Sequence, residues 1–228
     1  YLAEKNAATR LKKLTQDYHI QLGTPIVPAL CQRLNTAAEM IAKMGEVLAE
    51  PKYDGLRVQI HFDRQGDGTT LVRTFTRSLE ESSKMFPELQ QLVNILDCDN
   101  CILDAEAVGF NPDTGDLIPF QQTIQRKRKH GVAEKAVEIP VRFFVFDLLF
   151  LNGKELIDEP FFKRKEQLQS LFKSGQVLQH SPGLRTSDPV ALHEYHEQAL
   201  ADGLEGVVVK QWNGVYQSGR KNWSWVKM

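Results

Sequence analysis

The run Glu50-Pro51-Lys52-Tyr53-Asp54-Gly55-Leu56-Arg57 places a lysine beside an acid, a glycine turn and an arginine. A free lysine amine, with a pKa of about 10.4, is a poor nucleophile at neutral pH. It becomes a useful one when burial or nearby positive charge favours its neutral form. Arg57 or a bound metal ion would supply such charge, and Gly55 lets the backbone turn tightly or approach a ligand. Taken alone, the run also fits a surface turn closed by a salt bridge.

Four further segments add weight. LDAEAVGF (103–110) sets Asp104 and Glu106 two residues apart on one strand face. Acids on an otherwise apolar strand need a counter-ion, a metal or a ligand, unless that face is open to solvent. FFVFDLLFLNG (143–153) puts Asp147 inside a buried strand with Phe146 on its opposite side, where a ring serves either a planar base or the core. LEGVVVKQW (204–212) carries Glu205 and Lys210 at the two ends of a valine run. Five residues apart, they point to opposite faces of a regular strand, so either the strand bulges or Glu205 lies at its entry. GRKNWSWVK (219–227) brings Arg220, Lys221 and Lys227 among two tryptophans.

Other groups carry weaker signals. Arg126-Lys127-Arg128-Lys129 is a compact basic run, suited to phosphate contacts or to a solvated loop. Cys98 and Cys101 form one CxxC, but four-ligand zinc sites need a second pair. His193 and His196 stand three apart on an expected helix without a matching carboxylate pattern, so they read as surface histidines.

The elements that must position these residues follow from periodicity. Leu11, Leu14 and Tyr18 recur at helical spacing and predict a helix over about 3–17, read as a linker over 1–20, with one main domain over 21–228. A second helix is expected over about 35–44. From Glu46 the period drops to two: a strand, a turn at Tyr53–Gly55, and a strand in which Leu56, Val58, Ile60 and Phe62 alternate with polar residues. Leu71–Thr76 completes a hairpin. Pro87 opens a helix with an apolar stripe of Leu89, Leu92, Val93 and Leu96. Ile102–Phe110 is a strand, and Val141–Leu151 a central strand buried on both faces. A helix is expected over about 162–173. Another is capped by Ser187 and stopped by Gly203, before a last clear strand at Leu204–Trp212. Strands and helices mix without a strict βαβ rhythm, which indicates α+β.

Composition bounds the class. In 228 residues, 42% are hydrophobic and 25% charged, which excludes wholesale disorder and fibrous repeats. The net charge of −1 leaves nucleic-acid binding to a local patch rather than to the chain's total charge. No 18-residue apolar window or signal-peptide pattern occurs, so no membrane span is expected. Three cysteines are too few for a disulfide framework and point to a reducing intracellular compartment. The opening at Tyr1 and the stop at Met228, just after WSWVK, read as the ends of a fragment.

In their order, these segments resemble the nucleotidyltransferase motifs of ATP-dependent DNA ligases. KYDGLR resembles motif I, LDAEAVGF motif III, FFVFDLLFLNG motif IIIa, LEGVVVK motif IV and WSWVK motif V. FTRSLEES (75–82) resembles the arginine-bearing segment after the first hairpin. PIVPAL (25–30) and IPFQQTIQRKRK (118–129) resemble stretches of the archaeal and eukaryotic type. The resemblance spans roughly 20–228. It implies two packed antiparallel sheets flanked by helices, in a nucleotidyltransferase, ATP-grasp-like adenylation domain with ATP in the groove between the sheets. It further implies that Lys52 attacks the α-phosphate of ATP, and that AMP then passes to the 5′-phosphate of nicked double-stranded DNA. By match of motif, Glu50 accepts from the adenine amino group and Phe146 stacks on the ring. Arg57 and Glu106 hold the ribose region, and Glu205 helps bind Mg²⁺ or Mn²⁺. Lys210 and Lys227 contact the α-phosphate, and Arg77 the nucleotide or the nicked 5′-phosphate. An OB-fold domain after residue 228 and a DNA-binding domain before residue 21 are also implied, in a monomer placed in the cytoplasm, nucleoid or nucleus. Without them, poor nick sealing is expected. The same lysine chemistry serves RNA ligases and mRNA-capping guanylyltransferases, and a rival of another class is a non-catalytic nucleotide- or DNA-binding module.

Overall fold

The computed structural model describes residues 19–126, 136, 138–219 and 221–228, Lys221 through its backbone alone. The helix expected over 3–17 lies outside the described residues. Within the segment read as a linker over 1–20, His19 and Ile20 are described and are not helical.

Period-two alternation builds two sheets. One holds, in spatial order, β1 (Leu30–Arg33), β11 (Lys221–Lys227), β10 (Val207–Gln211), β2 (Val47–Pro51) and β9 (Leu184–Thr186). The other holds β4 (Thr70–Thr76), β3 (Leu56–Arg64), β5 (Asn100–Gly109), β6 (Val141–Leu151) and β7 (Lys154–Glu155), with β8 (Leu178–His180) beside β6. Pairing is antiparallel as expected, except that β1 runs parallel to β11 and β8 parallel to β6. Parallel neighbours need a long connection. Helix Phe161–Leu171 lies between β6 and β8, and nearly the whole chain lies between β1 and β11.

In the first sheet Val47, Ala49, Val207, Val209 and Val226 form one core with Met40, Met44, Leu192 and Ala199 of helices α1 (Ala37–Met44) and α4 (Pro189–Ala201). Thr36 caps α1 through the Glu39 amide. Helix α4 is capped by Asp188, not by the expected Ser187: its carboxylate accepts from Val190 N at 2.9 Å, with Pro189 at the first helical position. Gly203, at φ 81°, follows the end of α4 as expected.

In the second sheet Val58, Ile60, Phe62, Leu103, Ala105, Phe143, Val145 and Leu148 pack on Leu168 and Leu171 of α3 (Phe161–Leu171) and on Leu89 and Leu92. The segment opened by Pro87 is a 3-10 helix, Pro87–Asn94, rather than an α-helix. Its buried residues explain this, since Phe86, Leu89 and Leu92 recur every three residues, the 3-10 period. A short α2 (Phe120–Thr123) lies against β5.

The remaining faces of the two sheets meet. Ala29, Ile102, Leu149, Phe150, Tyr216 and Trp225 form a small core between them. The chain passes from the first sheet to the second after β2, leaving only Lys52–Gly55 as the link to β3. Lys52 therefore stands on the seam between the two layers.

Candidate active site

Strand register gathers the chemistry on the inner face of the first sheet. Glu50 of β2, Val208 of β10 and Lys227 of β11 stand in one row, with Leu48, Lys210 and Trp225 in the next. Their alternates are the apolar residues buried against α1 and α4, so these six point toward the second sheet. Between the sheets lies a groove of about 730 Å³. Glu50, Lys52, Arg57, Arg77, Glu106, Phe146 and Lys210 all line it. Of the residues given roles by match of motif, Glu205 and Lys227 do not line it: Glu205 pairs with Lys52, and the charge of Lys227 acts on the same amine.

The Lys52 side chain is 28% exposed and its ammonium forms an ion pair with Glu205. Its backbone amide donates to Gly206 O at 2.9 Å, which fixes the seam to the entry of β10. Glu205 precedes the first strand residue, Val207, and Gly206 turns the chain at φ 115°. That removes the parity conflict between Glu205 and Lys210. Burial, then the positive charge of Lys227, push the Lys52 amine below its ordinary range, against the pull of Glu106 and Asp54. Gly55 closes the seam because a side chain there has no room. A Cβ would lie 2.5 Å from Ala107 O and 3.0 Å from Glu106 Cγ.

The far end is sealed. Glu50, 2% exposed, receives Lys165 Nζ on one carboxylate oxygen and Lys210 Nζ on the other, each at 2.5 Å. Lys165 also donates to Ser181 O. Lys210 Nζ lies 4.3 Å from the Phe146 ring centre and 4.4 Å from that of Trp225. Burial pushes this amine down, against Glu50 and Asp147. Phe146 reaches the groove because β6 bulges there: Val145 pairs Ala105 and Asp147 pairs Asp104, leaving Phe146 without an opposite residue. Asp147 instead takes Arg164 in a bidentate pair, 2.8 and 2.9 Å, with both side chains fully buried.

On the second sheet Arg57 makes a bidentate pair with Asp104, 3.0 and 2.7 Å. Burial works against the Arg57 charge, yet Asp104 and Tyr216 hold its pKa above the ordinary guanidinium range. Glu106 is pushed up to about 8 by burial, with Arg57 opposing and Asp104 adding. Asp104 and Glu106 do share a face, and Asp104, fully buried, is the one with a full ion pair.

Some expected site residues stand elsewhere. Arg126 is no surface cation: it is 1% exposed and grips Glu88 at 2.8 and 2.9 Å. Lys127–Lys129 and Arg220 lie outside the described residues. Cys98 and Cys101 are buried in the core of the second sheet. Among the described residues no three of His, Cys, Asp and Glu are grouped to hold a metal. The sequence reading missed Lys165, Tyr53, Cys31 and Tyr216. Tyr53 stacks on Phe144 at 4.1 Å, and Tyr53, Cys31 and Trp225 line the groove. A signal for Tyr53 was its place beside Lys52; Lys165 gave none.

Two sheets enclosing a groove, with a partly buried lysine on their seam and cations around it, are the architecture that this chain shares with solved DNA ligase structures. The fold recurs in solved structures. A mycobacterial DNA ligase D complexed with ATP and MES matches with TM-score 0.63 and 25% identity, over 89% of this chain and 59% of that one. A bacteriophage T7 ATP-dependent DNA ligase complexed with ATP matches with TM-score 0.56 and 20% identity, over 92% of this chain and 69% of that one, and attests the fold alone.

The family model described as ATP dependent DNA ligase domain matches residues 28–228, and the chain belongs to that family. Similar proteins include a probable DNA ligase of Dictyoglomus turgidum, 36% identical over 210 residues, and DNA ligase 2 of Korarchaeum cryptofilum, 38% identical over 212. Each match covers 92% of this chain and 35% of the relative, so the chain spans about a third of the length of these relatives.

Proposed function

We propose that this chain is the adenylation domain of an ATP-dependent DNA ligase, with Lys52 as the residue that receives AMP. The observation that carries this is the Lys52 amine. It stands at the groove's edge, between Glu205 and the field of Lys227, with its pKa lowered by burial. A neutral amine there is a competent nucleophile toward phosphorus.

In the proposed reaction Lys52 Nζ attacks the α-phosphorus of ATP. An N–P bond forms, the P–O bond to pyrophosphate breaks, and the amine loses a proton. Lys210 and Lys227 supply fixed positive charge to the α-phosphate as charge builds on its oxygens. Phe146, aimed into the groove by its bulge, offers a face for adenine. Glu50, held by Lys165, accepts from the exocyclic amino group. Arg57 and Glu106 hold the ribose, and Arg77, exposed at the groove mouth, meets the nucleotide or the nicked 5′-phosphate. The AMP then passes to the 5′-phosphate of a nick, and the 3′-hydroxyl displaces it.

A divalent ion fits the donors present. A magnesium-type cation is commonly held by one or two carboxylates plus substrate phosphates, and Glu205, 48% exposed beside Lys52, is such a carboxylate. Mg²⁺ or Mn²⁺ there would neutralise phosphate charge. The reading also assigns residues 1–20 to a linker from a DNA-binding domain and an OB-fold to the region after 228, in a monomeric ligase. No described helix is long and apolar enough to cross a membrane.

The test is intact mass after incubation with ATP and Mg²⁺, beside Lys52→Ala. The expected result is an added AMP mass that survives denaturation and is missing from the variant. The same adduct on Lys52→Ala would overturn the assignment.

A further inference from the structure

Tyr216 belongs to the segment between β10 and β11 and is remote in sequence from every motif lysine except Lys210 and Lys227. Its ring is 3% exposed, in the core between the sheets, edge-on to Trp225 at 5.6 Å. A buried tyrosine in such a core needs no function beyond packing, but its hydroxyl is used to capacity. It donates to Asp104 Oδ2 at 2.8 Å and accepts from Ala29 N at 3.0 Å and Arg57 Nη2 at 3.3 Å. One donor and two acceptor sites are all a hydroxyl has.

The bonds close on themselves. Arg57 Nη1 donates to Ala29 O at 2.8 Å, so Ala29 gives its amide to Tyr216 and its carbonyl to Arg57. Asp104 receives Arg57 on both oxygens and Tyr216 on one of them. Arg57 is thus clamped from three separate pieces of chain: the segment before β1, strand β5 and the β10–β11 link. The first piece is itself strapped to β3, where Ile26 N donates to Gln59 Oε1 at 2.9 Å and Gly23 N to His61 Nδ1 at 3.1 Å. Of the ring's members, Arg57 lines the groove.

We infer that Tyr216 is a positioning residue for nucleotide binding: its hydroxyl sets the plane of Arg57 toward the ribose and ties that setting to the strands carrying Lys210 and Lys227. The inference rests on the adenylation reading above and adds to it a residue that touches no substrate. Phenylalanine keeps the ring and its packing and removes only the oxygen. Arg57 then keeps Asp104 and Ala29 O but loses the contact that fixes its tilt.

The experiment measures lysyl-AMP formation by the full chain and by Tyr216→Phe, with ATP and with 2′-deoxyATP, alongside thermal unfolding. The expected result is a rise in KM for ATP of about tenfold, the scale of one hydrogen bond to a charged group. The turnover rate should stay within about twofold and the preference for ATP over 2′-deoxyATP should shrink, as expected when binding is lost equally from ground and transition states. Unchanged KM and sugar preference in a folded variant would overturn the inference. If Tyr216→Phe does not fold, Tyr216→Met, which also lacks the hydroxyl, leaves the Arg57–Asp104 pair in place and fills the ring's space with a flexible apolar chain, is judged by the same split. Failure of both to fold would assign the network to the fold alone and also overturn it. If the unsubstituted chain gains no AMP, the adenylation reading fails separately. The comparison is then read as ATP and 2′-deoxyATP affinity by calorimetry, where equal affinities of the two proteins sink the Tyr216 role.

Discussion

The two ends of the groove treat charge in opposite ways. At the sealed end Glu50, Lys165, Lys210, Asp147 and Arg164 are all buried, and each carboxylate has a cation on both oxygens. At the rim Lys52 and Glu205 share one ion pair while partly open to water, and Lys227 and Arg77 are exposed. A buried ion cannot be left without a partner, so the sealed end is assembled before any ligand arrives. A rim ion loses little on exchanging a carboxylate for a phosphate. Fixed pairing is concentrated at one end and the attacking amine stands at the other, with Lys210 the sealed-end cation on which the proposed reaction also draws.

The comparison breaks most visibly at Lys52. Lys52→Arg keeps a cation opposite Glu205 but removes an amine that can lose its proton. Adduct formation should fall on the order of 10³-fold or more, with unfolding in urea unchanged. Next in size is Arg164→Met, which leaves Asp147 charged and buried. Urea unfolding should show a loss of about 3–5 kcal/mol.

Glu106 lies between the two regimes. Its folded pKa, about 8, is raised from its ordinary 4.5. Its contribution to stability is therefore complete below pH 4.5 and is lost as pH rises through 8. Denaturation midpoints should fall across that window, and Glu106→Gln should flatten the fall; an equal slope in the variant would place the cause elsewhere. The smallest effect sharpens the contrast with Arg164: Glu205→Gln should change stability by less than about 1 kcal/mol, because its pair is at the surface. The same variant should slow adduct formation, read by mass at limiting Mg²⁺.

What was legible in the sequence divides along similar lines. The rim could be read because its residues lie in short local runs. Lys52 lies in KYDGLR, Arg77 in FTRSLEES, Glu205 in LEGVVVK and Lys227 in WSWVK, and among the strands the alternation of β3 separates its two faces. The partners at the sealed end could not be read. Lys165 meets Glu50 across 115 positions and Tyr216 meets Asp104 across 112, and no local pattern encodes either contact. Strands β8 and β9 have three residues each, too few for a period. The WSWVK segment was noted for its charges and tryptophans but not as strand β11, since its pairing with β1 departs from regular register between Cys31 and Gln32. The Pro87 helix was placed correctly but not its type: the stripe of Leu89, Leu92, Val93 and Leu96 fits an α-helix, and only burial of Leu89 and Leu92 three residues apart shows the 3-10 winding.

The position of Lys52 on the seam also makes it a chemical handle. An amine-directed electrophile at neutral pH selects for a lowered pKa and an open approach together. Lys210 has the first but is 2% exposed, whereas Lys52 has both. A covalent probe of that kind should mark Lys52 ahead of Lys210, and a nucleotide in the groove should shield it.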